Sequence, residues 1–404
     1  MDWSFLTKRN DALCVTTDSR KVVPARSTVF VALKGEHFDG NEFVEQARKD
    51  GAAYIISGEN ALAELQDLAR AWRRELNIPI IAITGTNGKT TTKELTAAIL
   101  SKRYKVAYTQ GNLNNQLGVP LTLLSITRAH EMAIVEMGAS HPGDIKELVE
   151  IAEPNYGLIT NVGRAHLQGF GSFEGVMATK GELYDWIIAH GGTIFYNADN
   201  PYLCKMLEES IRSLMSVESL ETVLYHTGTM PEDTHLVGGY NAENVSAALC
   251  VGTYFGVPEE QALAAIRAYI PSNNRSQLLQ TEHNTVVVDA YNANPTSMTA
   301  AIEAFGRRQE SGVRNQACYI LGAMRELGEY SHLEHQNIVN MLLERKADKV
   351  LLVGEEYKAT TAPYPVFDNV EALCEYLKKE PLNGYTILLK GSRSNTLEKA
   401  IPLL

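Results

Sequence analysis

Short apolar runs alternate with longer amphipathic stretches along the chain, and glycine or proline separates them. That rhythm predicts strands running into helices, the signature of parallel α/β units. Within residues 1 to 78 it predicts small units: strands at 29–33 and 53–56, and helices near 41–49 and 61–76. From Pro79 to about Ile270 three strongly apolar strands are expected, at 80–84, 132–137 and 158–162, each entering a polar or glycine-rich loop. After Pro271 the pattern restarts, with strands at 286–288, 319–321, 350–353 and 387–389 and helices near 295–309, 332–346 and 370–379. The second series reads as a further doubly wound sheet. The expected division is therefore 1–78, 79–270 and 271–404.

Composition narrows this picture. A length of 404 residues suits two or three domains at ~150 residues each, and 45% hydrophobic with 21% charged residues is ordinary for a globular chain. The net charge of −11 argues against a nucleic acid as partner, so an anionic ligand needs a local device. Five cysteines without a C-x-x-C pair indicate neither a zinc ribbon nor a disulfide framework, and point to a reducing compartment. The amino terminus lacks a basic region followed by an apolar stretch, and no apolar run approaches the ~20 residues of a membrane span. A cytoplasmic protein without a membrane span is expected.

Ile80 to Thr91, I-I-A-I-T-G-T-N-G-K-T-T, supplies the local device. A buried strand turns through Gly85, Thr86, Asn87 and Gly88 into a helix whose first residues are Lys89, Thr90 and Thr91. Glycines let backbone N–H groups approach phosphate oxygens, and the helix N-terminus adds positive partial charge. Lys89 can neutralise terminal phosphates and Thr90 can ligate Mg²⁺. The pattern G-x-x-x-x-G-K-[ST] would place glycine at position 83, where this chain has Ile83. A tight turn without a ligand is the bland alternative, but it gives no reason for a lysine followed by threonines.

Two further strand ends carry chemistry. Met132 to Val135 leads into Glu136, a candidate Mg²⁺ ligand beside phosphates, or else a carboxylate solvated at a strand end. Gly157 to Val162 leads through Gly163 to His166, either a site residue or a structural histidine. Ligands collect at the carboxyl ends of parallel strands, so Gly88, Glu136 and His166 can meet. Lys180 lies on the helical apolar stripe of Phe173, Val176, Met177, Leu183, Tyr184, Ile187 and Ile188. A cation facing inward is costly unless paired or discharged, whereas one at the stripe's edge can snorkel.

With these residues in view, residues 84–91 resemble the ATP loop of the Mur ligases, the cytoplasmic amino-acid-adding enzymes of peptidoglycan synthesis. Further segments are similar in the same order: 111–124 (G-N-L-N-N-Q-L-G-V-P-L-T-L-L), 136–141 (E-M-G-A-S-H), 165–172 (A-H-L-Q-G-F-G-S) and 180–182 (K-G-E). Asp18-Ser19-Arg20 near the start and Leu389 to Arg393 near the end extend the likeness to nearly the full length. The resemblance implies an α/β architecture of three domains: one for the UDP part of the substrate, a central P-loop ATPase, and a carboxy-terminal Rossmann-like domain that closes over the site. It implies ATP and Mg²⁺ as cofactors, with UDP-N-acetylmuramoyl-tripeptide and D-alanyl-D-alanine as substrates, and a monomer is expected. Lys89, Glu136, His166 and Lys180 would be catalytic. Thr90 and Glu136 would hold one Mg²⁺; Glu136, His166 and a carbamylated Lys180 a second. Asn241, Asn244, Arg275 and Asp289 would join residues 85–91 on ATP, and Ser19, Arg20, Asn112 and Asn115 would meet the other substrate.

Two departures stand out. Tyr240 occupies a position where histidine is more usual, and Ala323 one where aspartate is common. Asp199-Asn200-Pro201 is followed by Tyr202 and lies in the central segment, so it is not the D-N-P-R signature of the diaminopimelate-adding ligase. The other readings are a diaminopimelate- or lysine-adding ligase, folylpolyglutamate synthase, or a nucleotide-binding relative that has lost ligation.

Overall fold

The structure, a computed structural model, describes residues 3, 11–24, 28–35, 37–213, 220–271, 274–310 and 316–404. The amino-terminal part carries β1 (Val15–Thr16), β2 (Val29–Val31), a hairpin of β3 (Lys34–Gly35) and β4 (Phe38–Asp39), and β5 (Tyr54–Ile56). Strands β1, β2 and β5 form a parallel sheet in that order.

Six parallel strands make the central sheet: β6 (Ile80–Thr84), β7 (Val106–Tyr108), β8 (Met132–Glu136), β9 (Tyr156–Ile159), β10 (Thr193–Asn197) and β11 (Glu221–Tyr225). Their order is β11-β10-β9-β6-β8-β7, so β6 lies between β8 and β9 and the three expected strand ends stand side by side. The carboxy-terminal sheet contains β12 (Gln277–Gln280), β13 (Thr285–Asp289), β14 (Gln316–Gly322), β15 (Lys349–Val353), β16 (Val366–Phe367) and β17 (Tyr385–Lys390), in the order β12-β13-β17-β14-β15-β16. Only the edge pair β12–β13 is antiparallel. Helices flank both six-stranded sheets, giving the α/β architecture expected from the alternation.

The strongly apolar strands are buried along their length, β6 and β8 completely so, because helices cover both faces of the central sheet. Several strand boundaries differ from the sequence expectation, with β2 ending at Val31 and β8 at Glu136, and one of them shapes the site. Strand β9 ends at Ile159, not at Val162. Thr160 and Asn161 leave the ladder because their side chains bind the loop after β6: Thr160 Oγ1 donates to the Asn87 carbonyl at 2.6 Å.

The helix Ala61–Leu76 shows how a sequence stripe becomes packing. Leu65, Leu68, Ala69 and Trp72 recur at helical spacing and are fully buried in a core that also holds Leu123, Leu148 and Ile151 of the central unit. Asn77 ends the helix in a left-handed conformation. Trp72 Nε1 donates to the Ile126 carbonyl at 2.9 Å. Arg73 donates to the carbonyls of Ala152 and Glu153 and to Asn155 Oδ1, each at 3.0 Å, satisfying carbonyls that the end of the helix Asp144–Ala152 leaves open. Arg73→Ala is expected to lower stability by about 2–4 kcal/mol, because buried acceptors lose a charged donor. Urea unfolding followed by circular dichroism checks this; a loss below about 0.5 kcal/mol, the scale of a plain surface change, contradicts it.

Candidate functional site

The loop between β6 and the helix Lys89–Leu100 depends on close approaches that only glycine permits. Gly85 has φ +141°, and a β-carbon there would stand 2.0 Å from Thr160 Oγ1. Gly88 has φ +81°, and a β-carbon would stand 2.1 Å from Asn244 Oδ1. Ile83 does not need to be glycine, because the chain is still in the sheet there: Ile83 pairs with Glu136 in the β6–β8 register and is fully buried. The Asn87 N–H donates to Asn161 Oδ1 at 3.0 Å, which ties the loop to the end of β9.

Lys89 Nζ lies within this loop, donating to the carbonyls of Gly85 at 2.6 Å and Thr86 at 3.1 Å. Burial pushes its pKa down to about 8; Glu136 opposes the shift and Arg275 adds to it. A bound phosphate would raise this pKa again by the same electrostatics.

Glu136, at the carboxyl end of β8, is 2% exposed, which excludes a solvated strand end. Its Oε1 accepts from Asn114 Nδ2 at 2.8 Å and from Thr90 Oγ1 at 3.2 Å, while Oε2 has no hydrogen-bond partner. A carboxyl group with a spare buried oxygen beside a threonine hydroxyl is the hard oxygen donor set that Mg²⁺ takes.

His166 adopts a left-handed backbone, φ +51°, before the short helix Leu167–Phe170. Its Nδ1 meets the Glu326 carboxylate of the carboxy-terminal unit. Burial lowers the pKa of His166, Glu326 opposes this, and Lys89 and Lys180 deepen it. Lys180 is 2% exposed, so snorkelling is excluded. Its ammonium lies 5.7 Å from the centre of the Phe170 ring, and burial holds its pKa well below the usual lysine range. Among the described residues no set of three His, Cys, Asp or Glu side chains forms a ready metal cluster.

The carboxy-terminal sheet faces this loop with its own strand ends. Arg275 stacks on Tyr291, its guanidinium carbon 3.9 Å from the ring centre. Asp289 Oδ2 accepts from Lys390 Nζ at 2.6 Å, and Lys390 is 1% exposed, so the carboxylate is held by the neighbouring strand β17. Asn294 Nδ2 donates to Asn87 Oδ1 at 2.8 Å, and Arg164 pairs with Glu334 at 3.2 Å. Between the two sets of strand ends lies a cavity of about 790 Å³, whose walls include Lys89, Thr90, Glu136, His166, Arg275 and Asp289. It also touches Gly88, Thr91, Asn115, Tyr240, Asn241 and Asn244.

Several expected residues are placed differently. Asn244 Nδ2 donates to Asn241 Oδ1 at 2.9 Å, and Thr92 Oγ1 donates to Asn244 Oδ1 at 3.1 Å, so this asparagine pair braces the loop at Gly88. Tyr240 donates to or accepts from Ser276 Oγ at 2.6 Å, next to Arg275. Asn115 Oδ1 accepts from the Gly118 N–H at 2.9 Å and starts the helix Gly118–Leu124. Ser19, Arg20 and Asn112 lie outside the cavity wall, and Arg20 is ion-paired with Asp18 at 2.8 Å. Ala323 is fully buried beside Gly354, a packing position, and the carboxylate this loop presents is Glu326. Sequence reasoning did not assign roles to Asn114, Asn161, Asn294, Glu326, Lys390 or Lys93. Only Lys93 carried a local signal, since it follows Lys89 by one helical turn.

The chain is similar to known proteins over most of its length. Three family profiles match in order: "Mur ligase family, catalytic domain" over residues 13–104, "Mur ligase middle domain" over 83–220 and "Mur ligase, glutamate ligase domain" over 274–393. The UDP-N-acetylmuramoyl-tripeptide–D-alanyl-D-alanine ligase of Bacillus subtilis is 32% identical, covering 96% of this chain and 92% of the relative. The crystal structure of MurF from Acinetobacter baumannii superposes with a TM-score of 0.82 at 27% identity, covering 96% of this chain and 92% of that one. MurF ligase of Thermotoga maritima, solved in complex with ADP, gives a TM-score of 0.82 at 26% identity, covering 98% and 97%. With its phosphate loop, buried carboxylate and facing Rossmann-like sheet, the chain belongs to the Mur ligase family and is an ATP-dependent ligase.

Proposed function

We propose that this chain adds D-alanyl-D-alanine to UDP-N-acetylmuramoyl-tripeptide in cytoplasmic peptidoglycan precursor synthesis. The observation that carries this reading is the shared cavity: Lys89, Thr90 and Glu136 on one wall and Arg275 on the other, in a chain similar end to end to ligases of that name. ATP phosphates would lie on the backbone of residues 85–91, with the helix N-terminus, Lys89 and Arg275 taking up negative charge. Asp289 would accept from a ribose hydroxyl through the carboxylate oxygen that Lys390 leaves free. Ser19, Arg20, Asn112 and Asn115 are proposed for the UDP-linked substrate. A monomer divided at 1–78, 79–270 and 271–404 completes the proposal.

In the first step an oxygen of the tripeptide's terminal carboxylate attacks the γ-phosphorus, the bond to the bridging oxygen breaks and ADP leaves. The resulting acyl phosphate is then attacked by the dipeptide amine; the tetrahedral adduct loses phosphate and the amine gives up its proton. Lys89 and Arg275 hold the phosphoryl oxygens, and catalysis is mainly positioning and electrostatics. Contacts of Asn87 with Asn294 and of Arg164 with Glu334 join the two sheets, and further closure on substrate would limit the access of water to the acyl phosphate. Thr90 and Glu136 would hold one Mg²⁺, and Glu136, His166 and carbamylated Lys180 a second; such ions neutralise developing charge on phosphate oxygens. The buried Lys180 amine, its pKa held by burial well below the usual lysine range, suits carbamylation, in which its nitrogen bonds to the carbon of CO2 and releases a proton.

Phosphate release from ATP, measured with UDP-N-acetylmuramoyl-tripeptide and with or without D-alanyl-D-alanine, tests the function. Release stimulated by the dipeptide and matched by pentapeptide product is expected. ATP binding without dipeptide-dependent release contradicts it and favours a relative that has lost ligation. Lys180→Ala is expected to cut kcat at least about a hundredfold with an unchanged circular dichroism spectrum, the scale of losing one preorganised electrostatic group. Activity within about threefold of the parent rejects the carbamate.

A further inference from the structure

The helix Lys89–Leu100 buries a second lysine. Lys93 lies one turn beyond Lys89 and Thr90, on the helix face turned to β8. It is fully buried, and its ammonium has no hydrogen-bond partner. The nearest acidic atom is Glu136 Oε2 at 3.5 Å, itself without a hydrogen bond; Glu94 Oε1 lies at 3.8 Å. The other oxygen of Glu94, Oε2, accepts from Tyr269 O–H at 2.5 Å. The Tyr108 ring centre lies 5.9 Å from the ammonium and offers a weak additional attraction.

A fully buried cation without hydrogen bonds is expensive, and so is a buried carboxylate oxygen without one. The two groups face each other across a gap longer than a hydrogen bond. That geometry gives charge balance without the directional bond that would fix Oε2 permanently. Asn114 and Thr90, by contrast, fix Oε1 from the other side.

We propose that Lys93 is the resident counter-ion of Glu136, a positioning residue that balances and orients this carboxylate until a divalent cation shares it. The inference rests on the reading of Glu136 as a Mg²⁺ ligand. Lys93 lies outside the cavity wall, so it acts through Glu136. Removing it leaves Glu136 buried beside an apolar gap, so the ligand-free protein suffers most, and a cation arriving with the nucleotide replaces the missing charge.

The test is a thermal-unfolding cycle on the full chain: parent, Lys93→Met, Glu136→Gln and the double variant, each with EDTA, with ADP plus EDTA, and with ADP plus MgCl2. Lys93→Met is expected to lower the EDTA midpoint by roughly 5 °C or more, the scale of breaking a buried pair. The rise brought by ADP plus MgCl2 is expected to be larger in Lys93→Met than in the parent, and ADP plus EDTA is expected to bring no such excess. In the Glu136→Gln background, Lys93→Met is expected to cost little. Failure of Lys93→Met to fold while the double variant folds carries the same meaning. Equal losses in both backgrounds, failure of both to fold, or a magnesium-dependent rise unchanged by Lys93→Met overturn the proposal. If the parent itself gains nothing from MgCl2 beyond ADP alone, the metal reading of Glu136 fails, whereas the EDTA arm still decides the pairing with Lys93.

Discussion

A carboxylate buried at the end of a central strand sets the terms for everything around it. Glu136 cannot be left alone in a low-dielectric interior, and the neighbouring elements supply its compensation. The loop at 111–115 brings Asn114, the phosphate-loop helix brings Thr90 and Lys93, and strand β6 holds that helix at the required height. The same helix presents its N-terminus and Lys89 to the cavity. One packing arrangement therefore serves two needs, the neutralisation of a buried charge and the reception of an anionic ligand.

The second sheet completes the site from the opposite side. Parallel strands of both six-stranded sheets end at the cavity, which is why Arg275, widely separated from Lys89 in sequence, adds to the lowering of the Lys89 pKa that burial causes. The contact of His166 with Glu326 and the carboxamide pair of Asn87 and Asn294 cross the gap at the phosphate loop itself. The shape of the loop and the contact between the domains are thus not separate features: Asn87, held by Thr160 and Asn161, also touches Asn294 of the other domain.

Much of this was legible in the chain because the signals are local. The strand–loop–helix run at Ile80 to Thr91, the strand ending in Glu136 and the lysine on an apolar stripe all follow from spacing alone. Burial then decided two open alternatives, removing solvation for Glu136 and snorkelling for Lys180. What periodicity could not supply is pairing between distant segments. Nothing near Asn244 says that it will press on Gly88, and nothing near Asp289 says that Lys390 will hold it. The end of β9 failed for the same reason: Thr160 and Asn161 look like strand residues, but their side chains are taken by the phosphate loop. Ser19, Arg20 and Asn112 rest on resemblance alone, since they lie outside the cavity wall.

If Glu136 and Thr90 hold a divalent cation at the phosphate loop, a bound metal will show it. Anomalous diffraction from crystals grown with ADP and Mn²⁺ tests it most directly. A manganese peak is expected within about 2.0–2.3 Å of Glu136 and Thr90 oxygens, contacting the nucleotide's phosphates, with Lys93 still facing the carboxylate. A peak elsewhere, with Glu136 held only by Asn114 and Lys93, would contradict it.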